Sequence, residues 1–196
     1  MHRSLWKKFS KNSQTPNMDL KSLKVFSILM FVFFGVNAQR SNIVIGPELN
    51  LPTGNATNES PIGFGGYLKG EVGLSEKFSI TASVAITSFL GKKIIGPRQP
   101  TVSYLPVKAG LKYYTDRNFY FEGQLGTRFK IDGNANTTFV WSPGVGSLIK
   151  SRNSNNQFDI GLRYEGWTSS RTINTIEKNY TTFSFFSLRA GYAFNL

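Results

Sequence analysis

From Ser41 to Leu196 the chain repeats one pattern eight times: apolar residues at every second position, with polar or small residues between them. A period of two marks a β-strand whose two faces meet different surroundings. No segment of this stretch carries a convincing 3.6-residue period, so an all-β fold is expected. The predicted strands run over 42–53, 62–74, 78–90, 101–114, 119–131, 138–150, 157–167 and 181–196. In the third, Phe78, Ile80, Ala82, Val84, Ile86 and Leu90 share one face, and Ser79, Thr81, Ser83 and Thr87 share the other.

The connectors alternate as well. Segments 75–77, 115–118 and 151–156 are short and polar, as turns are. The other connectors are mostly longer, 54–61, 91–100 and 168–180, with 132–137 the shortest of them. An up-and-down sheet with an even number of strands puts both of its ends beside the short turns. Short turns at one end and longer loops at the other are the habit of transmembrane barrels.

Alternation alone does not say which face is inside. A soluble barrel hides its apolar face, and a membrane barrel displays it. The apolar faces carry no charged residue on any predicted strand. The opposite faces hold Glu48, Lys69, Glu71, Lys108, Lys112, Glu122, Arg128, Lys130, Asp159, Arg163, Glu165 and Arg189. Volume favours the membrane arrangement. The lumen of an eight-stranded barrel is filled by side chains or holds one small ligand, and the many strand aromatics are too bulky for it. On the outside, Tyr113, Phe119, Phe121, Trp141, Tyr164, Tyr192 and Phe194 fall mostly near strand ends, as an interfacial girdle would. Gly73, Gly110, Gly126, Gly144, Gly146, Gly161 and Gly191 on the opposite face suit a narrow, ion-paired interior.

Ahead of the strands, residues 25–36 read VFSILMFVFFGV, preceded by Lys21 and Lys24 and followed by Val36-Asn37-Ala38. Basic flank, apolar run and small-x-small site make a cleavable secretory signal peptide. The run is shorter than the about 20 residues a spanning helix needs. Residues 1–38 are therefore expected to be removed after Ala38, leaving 39–196 as the barrel domain, with Met18 a plausible true start. The formal charge of +12 points first to nucleic acid. It divides into a discarded leader and scattered strand and loop positions with no basic patch, so no nucleic-acid partner is expected.

With this much in place, the mature segment resembles, over its whole length, the eight-stranded outer-membrane barrels of the OmpA/OmpX kind, and especially the outer membrane β-barrel domains abundant in Bacteroidetes. The resemblance is carried by Val36-Asn37-Ala38-Gln39 and by the closing LRAGYAFNL of 188–196, in which Tyr192, Phe194 and Leu196 alternate. Leu196 stands where Phe is commoner in that family. The resemblance implies a last strand read by the barrel-assembly machinery during insertion, and outer-membrane lipid and lipopolysaccharide as surroundings.

No cysteine is present and the single histidine is His2, within the leader. Disulfides, thiol chemistry and Cys-ligated zinc are excluded, and the residue most used as a general base is missing from the mature segment. A metal would need Glu48, Glu71, Glu122 and Glu165, which are interleaved with Lys and Arg and read instead as members of a neutralised network. Gly63-Phe64-Gly65-Gly66 and Gly144-Val145-Gly146 lack phosphate-loop spacing and read as strand glycines under large neighbours. Four Asn-x-Ser/Thr sequons, at Asn55, Asn58, Asn136 and Asn179, mark polar loops. The basic segment 91–100, with Lys92, Lys93, Ile94, Ile95 and Arg98, is the loop that could touch phosphates of lipopolysaccharide or a partner. No catalytic residue, cofactor or metal is expected, and no protein partner is named by the sequence. The leading expectation is a non-enzymatic outer-membrane barrel, structural or binding through its loops. A secreted lipocalin-like barrel for a small apolar ligand and an outer-membrane lipid-modifying enzyme are the alternatives.

Overall fold

The computed structural model describes residues 41–92, 100–131, 138–151, 155–172 and 178–196. The expected leader, Asn136 and most of segment 91–100 lie outside the described residues. Eight strands follow in order: β1 (Ser41–Thr53), β2 (Gly63–Gly73), β3 (Phe78–Phe89), β4 (Val102–Tyr114), β5 (Phe119–Lys130), β6 (Thr138–Lys150), β7 (Gln157–Thr172) and β8 (Lys178–Asn195). Each pairs antiparallel with its sequence neighbour, and β1 pairs with β8 to close the barrel. Closure gives every strand two partners, so no sheet edge is left exposed around the wall.

The expected alternation is realised strand by strand. Ile43, Ile45, Leu49 and Leu51 of β1, Phe78, Ile80 and Ile86 of β3, and Phe158, Ile160 and Leu162 of β7 all face outward and are exposed. Glu48, Lys69, Glu71, Lys108, Lys112, Glu122, Asp159, Arg163, Glu165 and Arg189 face inward and are buried. This inversion of a soluble protein's pattern is the pattern of a transmembrane β-barrel. Lipid-facing charge costs about 2–4 kcal/mol at mid-membrane for Arg or Lys, and none of the exposed large side chains on the outward faces of the described strands is charged.

Two expectations are revised. The segment 168–180 is not all loop: β7 continues to Thr172 and β8 begins at Lys178, with Thr168 facing Thr182 and Ser170 facing Tyr180. Lys130 is not inside: it ends β5 beyond the packed lumen and is exposed. Segments 54–61, 75–77 and 115–118 connect strands as the sequence reading has them, and segment 132–137 lies outside the described residues. Tight turns follow β2 and β4, on the side where β1 begins and β8 ends, and on the same side the Ser151 amide donates to the Asn156 carbonyl at 3.1 Å between β6 and β7. Here this is called the turn end, and the opposite side the loop end. At the loop end, Asn55 and Asn58 sit in a short 3-10 helix (Gly54–Asn58).

Candidate functional site

Inward alternation on eight strands projects long polar side chains into a narrow lumen, where a charge persists only if it is paired. The lumen meets that condition in three layers. Near the turn end, Lys112 Nζ donates to Glu71 Oε2 at 2.5 Å, and the Tyr114 hydroxyl donates to Glu71 Oε1 at 2.5 Å. In the middle, Lys69 bridges Asp159 at 2.5 Å and Glu122 at 3.7 Å. Glu122 also takes Arg163, the Thr81 hydroxyl at 2.6 Å and the Gln124 amide at 2.8 Å. Toward the loop end, Arg189 pairs with Glu48 at 2.7 Å, and Lys108 with Glu165, which also accepts the Trp167 indole N–H at 2.8 Å. Five buried acids, Glu48, Glu71, Glu122, Asp159 and Glu165, face five buried bases, Lys69, Lys108, Lys112, Arg163 and Arg189. The buried network is electrically neutral.

The glycines make room for this filling. A Cβ on Gly146 would lie 2.3 Å from the Tyr120 hydroxyl, and one on Gly63 would lie 2.6 Å from the Phe89 ring. Tyr120 uses the space to donate its hydroxyl to Asp159, while its ring lies 4.0 Å from Lys112 Nζ. Strand glycines under large neighbours, expected from the sequence, are thus what the fold uses.

Beyond the last ionic layer the chemistry changes. Phe89, Val140, Trp167 and Phe185 form a buried cluster, with Tyr104 and Phe183 packed against it. The rings of Phe89 and Trp167 meet edge to face at 5.4 Å, and those of Phe89 and Phe185 at 5.2 Å. Arg128 lies among them, its guanidinium carbon 4.1 Å from the centre of the Tyr104 ring and 4.5 Å from that of Trp167. Above the cluster is a cavity of about 330 Å³, bounded by Phe89, Tyr104, Arg128, Trp167, Ser169, Thr181 and Phe183, with Glu59 and Ser60 on its rim. A second hollow, about 290 Å³, lies at the turn end beside Asn42, Tyr114, Arg117 and Lys150. The ionic layers fill the lumen between the two.

The sequence-derived candidates fall as follows. Glu48, Glu71, Glu122 and Glu165 are each held by cations, Glu122 by Lys69 and Arg163 and both Glu48 and Glu165 within reach of Arg189, and no cluster of three metal-ligating side chains occurs among the described residues. Asn179 is exposed on β8. Of segment 91–100, Lys92 is described, and its Nζ donates to the Thr57 carbonyl at 3.2 Å. The aromatic cluster and its cavity were missed. The signal was phase: Phe89 falls in step with Ser79 and Thr87, and Phe183 and Phe185 with Arg189, which sets all three inward.

No protein-family model matches the sequence, and no curated protein sequence matches it. Solved structures do. Ail, the attachment invasion locus protein of Yersinia pestis, in complex with the heparin analogue sucrose octasulfate, superposes with a TM-score of 0.52 at 19% identity, over 79% of this chain and 98% of that one. Neisserial surface protein A gives 0.55 at 13% identity, over 80% and 97%. The outer membrane protein OprG from Pseudomonas aeruginosa gives 0.51 at 11% identity, over 82% and 100%. At these identities the likeness is one of fold: the chain has the architecture of small bacterial outer-membrane barrels.

Proposed function

We propose that this chain is exported by a leader, residues 1–38, cleaved after Ala38, and resides in a bacterial outer membrane as a non-enzymatic barrel that binds at its surface through its loop end. The observation that carries the reading is the inversion of faces: an uncharged apolar exterior around a neutral ionic lumen. The loop end then faces outward and the turn end faces the periplasm. Lipid and lipopolysaccharide surround the apolar band, and the barrel-assembly machinery reads the Tyr192, Phe194, Leu196 strand during insertion. The filled lumen supports a binding rather than a conducting role. Catalysis is disfavoured because each buried carboxylate is already held by a cation.

Fractionation tests the proposal. The protein is expected in the outer membrane, released only by detergent, with Gln39 at its N-terminus by Edman or mass analysis. Protease added to intact cells is expected to cut within 91–100 and to spare the turns at 75–77 and 115–118. A monodisperse protein in detergent-free buffer would overturn the membrane reading.

A further inference from the structure

The buried cations of the lumen sit on carboxylates: Lys69 on Asp159, Lys108 on Glu165, Lys112 on Glu71, Arg163 on Glu122, Arg189 on Glu48. Arg128 has no such partner among the described residues. It is held by the faces of Tyr104 and Trp167, and its buried Nε–H has no hydrogen-bond acceptor. Ring faces attract a cation through their quadrupole but supply no countercharge. Arg128 also borders the loop-end cavity of about 330 Å³. A rigid guanidinium fork is thus presented to a hollow floored by aromatic rings, with no carboxylate among the described residues paired to it.

We infer that this cavity is a binding site for a small organic monoanion, a carboxylate carried on a flat apolar body. The carboxylate pairs with the Arg128 guanidinium, whose planar donors match two carboxylate oxygens. The flat body lies against Phe89, Trp167 and Phe183, where ring-to-ring contact adds to burial. One unpaired positive charge calls for one negative charge, and the Glu59 carboxylate on the rim opposes a second. The volume is at the small end of ligand sites, which begin at about 300 Å³. This inference deepens the surface-binding reading and rests on it for access to the ligand.

The test uses the protein extracted from membranes in detergent, titrated calorimetrically with 2-naphthoate, neutral 2-naphthamide and inorganic phosphate. The acid is expected to bind about tenfold or more tighter than the amide, as a charge-assisted pair would give. Arg128→Met is expected to erase that preference, Arg128→Lys to keep part of it, and Phe183→Ala to weaken acid and amide alike. Heat-modifiable gel migration confirms that each variant is folded, and the acid-to-amide ratio of the unaltered protein needs no variant at all. Equal affinity for acid and amide, or a preference unchanged in Arg128→Met, overturns the inference. So does displacement of 2-naphthoate by phosphate at lower concentration, which would make the site one for lipid headgroup or free phosphate. A flat titration with surface cleavage still observed removes the ligand and leaves the surface barrel. Failed fractionation with the acid preference intact removes the location and leaves the site.

Discussion

Lys112 and Arg128 are both long cations turned into the same lumen, and they are treated differently. Lys112, toward the turn end, donates to Glu71 at 2.5 Å and is fully covered. Arg128, toward the loop end, rests on Tyr104 and Trp167 and stays half-buried beside a cavity. Where a carboxylate meets the cation, the lumen closes on the pair and fills. Where rings meet it, the charge is held in position but not spent, and space is left above it. The first arrangement ties strands together across the barrel. The second leaves a charged surface facing a hollow.

That contrast predicts unequal costs of substitution. The largest is expected at Glu122, which serves Lys69, Arg163, Thr81 and Gln124 together. Glu122→Ala strands the buried Arg163, leaves Lys69 with Asp159 alone, and should cost about 3–5 kcal/mol in reversible urea unfolding from lipid vesicles. A near-neutral result would mean the ionic layers do not bear the fold.

Next is the exterior. Leu125 is 60% exposed on the outward face of β5, and Leu125→Arg should cost about 2–4 kcal/mol in vesicles if that position lies at mid-membrane. The same change on a water-facing surface would cost almost nothing, so this variant separates the two environments directly.

A smaller penalty is expected at Gly146, where an added Cβ meets the Tyr120 hydroxyl at 2.3 Å and the Ile160 carbonyl at 2.8 Å. Gly146→Ala should displace Tyr120 from Asp159 and cost about 1–3 kcal/mol in the same assay, as overpacking does. The smallest effect belongs to the other end. Arg128→Met loses only its attraction to two rings, and should change unfolding by about 1 kcal/mol or less. A loss as large as that of Glu122→Ala would break the distinction between the two ends.

The strand set was legible in the sequence because lipid on one side and a polar lumen on the other impose a strict period of two. The same physics explains where the reading stopped. Past the rim of the barrel, Ser169, Ser170, Asn179 and Tyr180 continue to pair, but both faces of this ribbon lie beyond the packed lumen and nothing enforces alternation. The aromatic cluster was hidden for another reason. With Phe and Tyr abundant outside, an aromatic side chain no longer announces its direction, and only its phase relative to Ser79 or Arg189 does. Ion partners were not legible at all. Glu122 lies directly across the β4–β5 seam from Lys112, yet its ion pairs are with Lys69 and Arg163, on strands with which β5 is not hydrogen-bonded. Those pairings depend on how the closed barrel folds side chains across its axis. The candidate site was therefore visible only in part: its charges were foreseen as interior, but the hollow above Arg128 was not.

The closure of β1 on β8 has a consequence for how the barrel is made. Seven of its eight seams join strands adjacent in sequence, and each can form as a hairpin over its own connector. The eighth joins the first strand to the last, and the entropy lost in closing a loop grows with its length. The seam is the slow, non-local contact of the fold. Glu48 and Arg189, 141 positions apart, lock it from inside, and the Leu196 amide donates to the Ser41 carbonyl at 2.9 Å to finish it. A change at either place is expected to act on the rate at which the barrel shuts, more than on any single hairpin already formed.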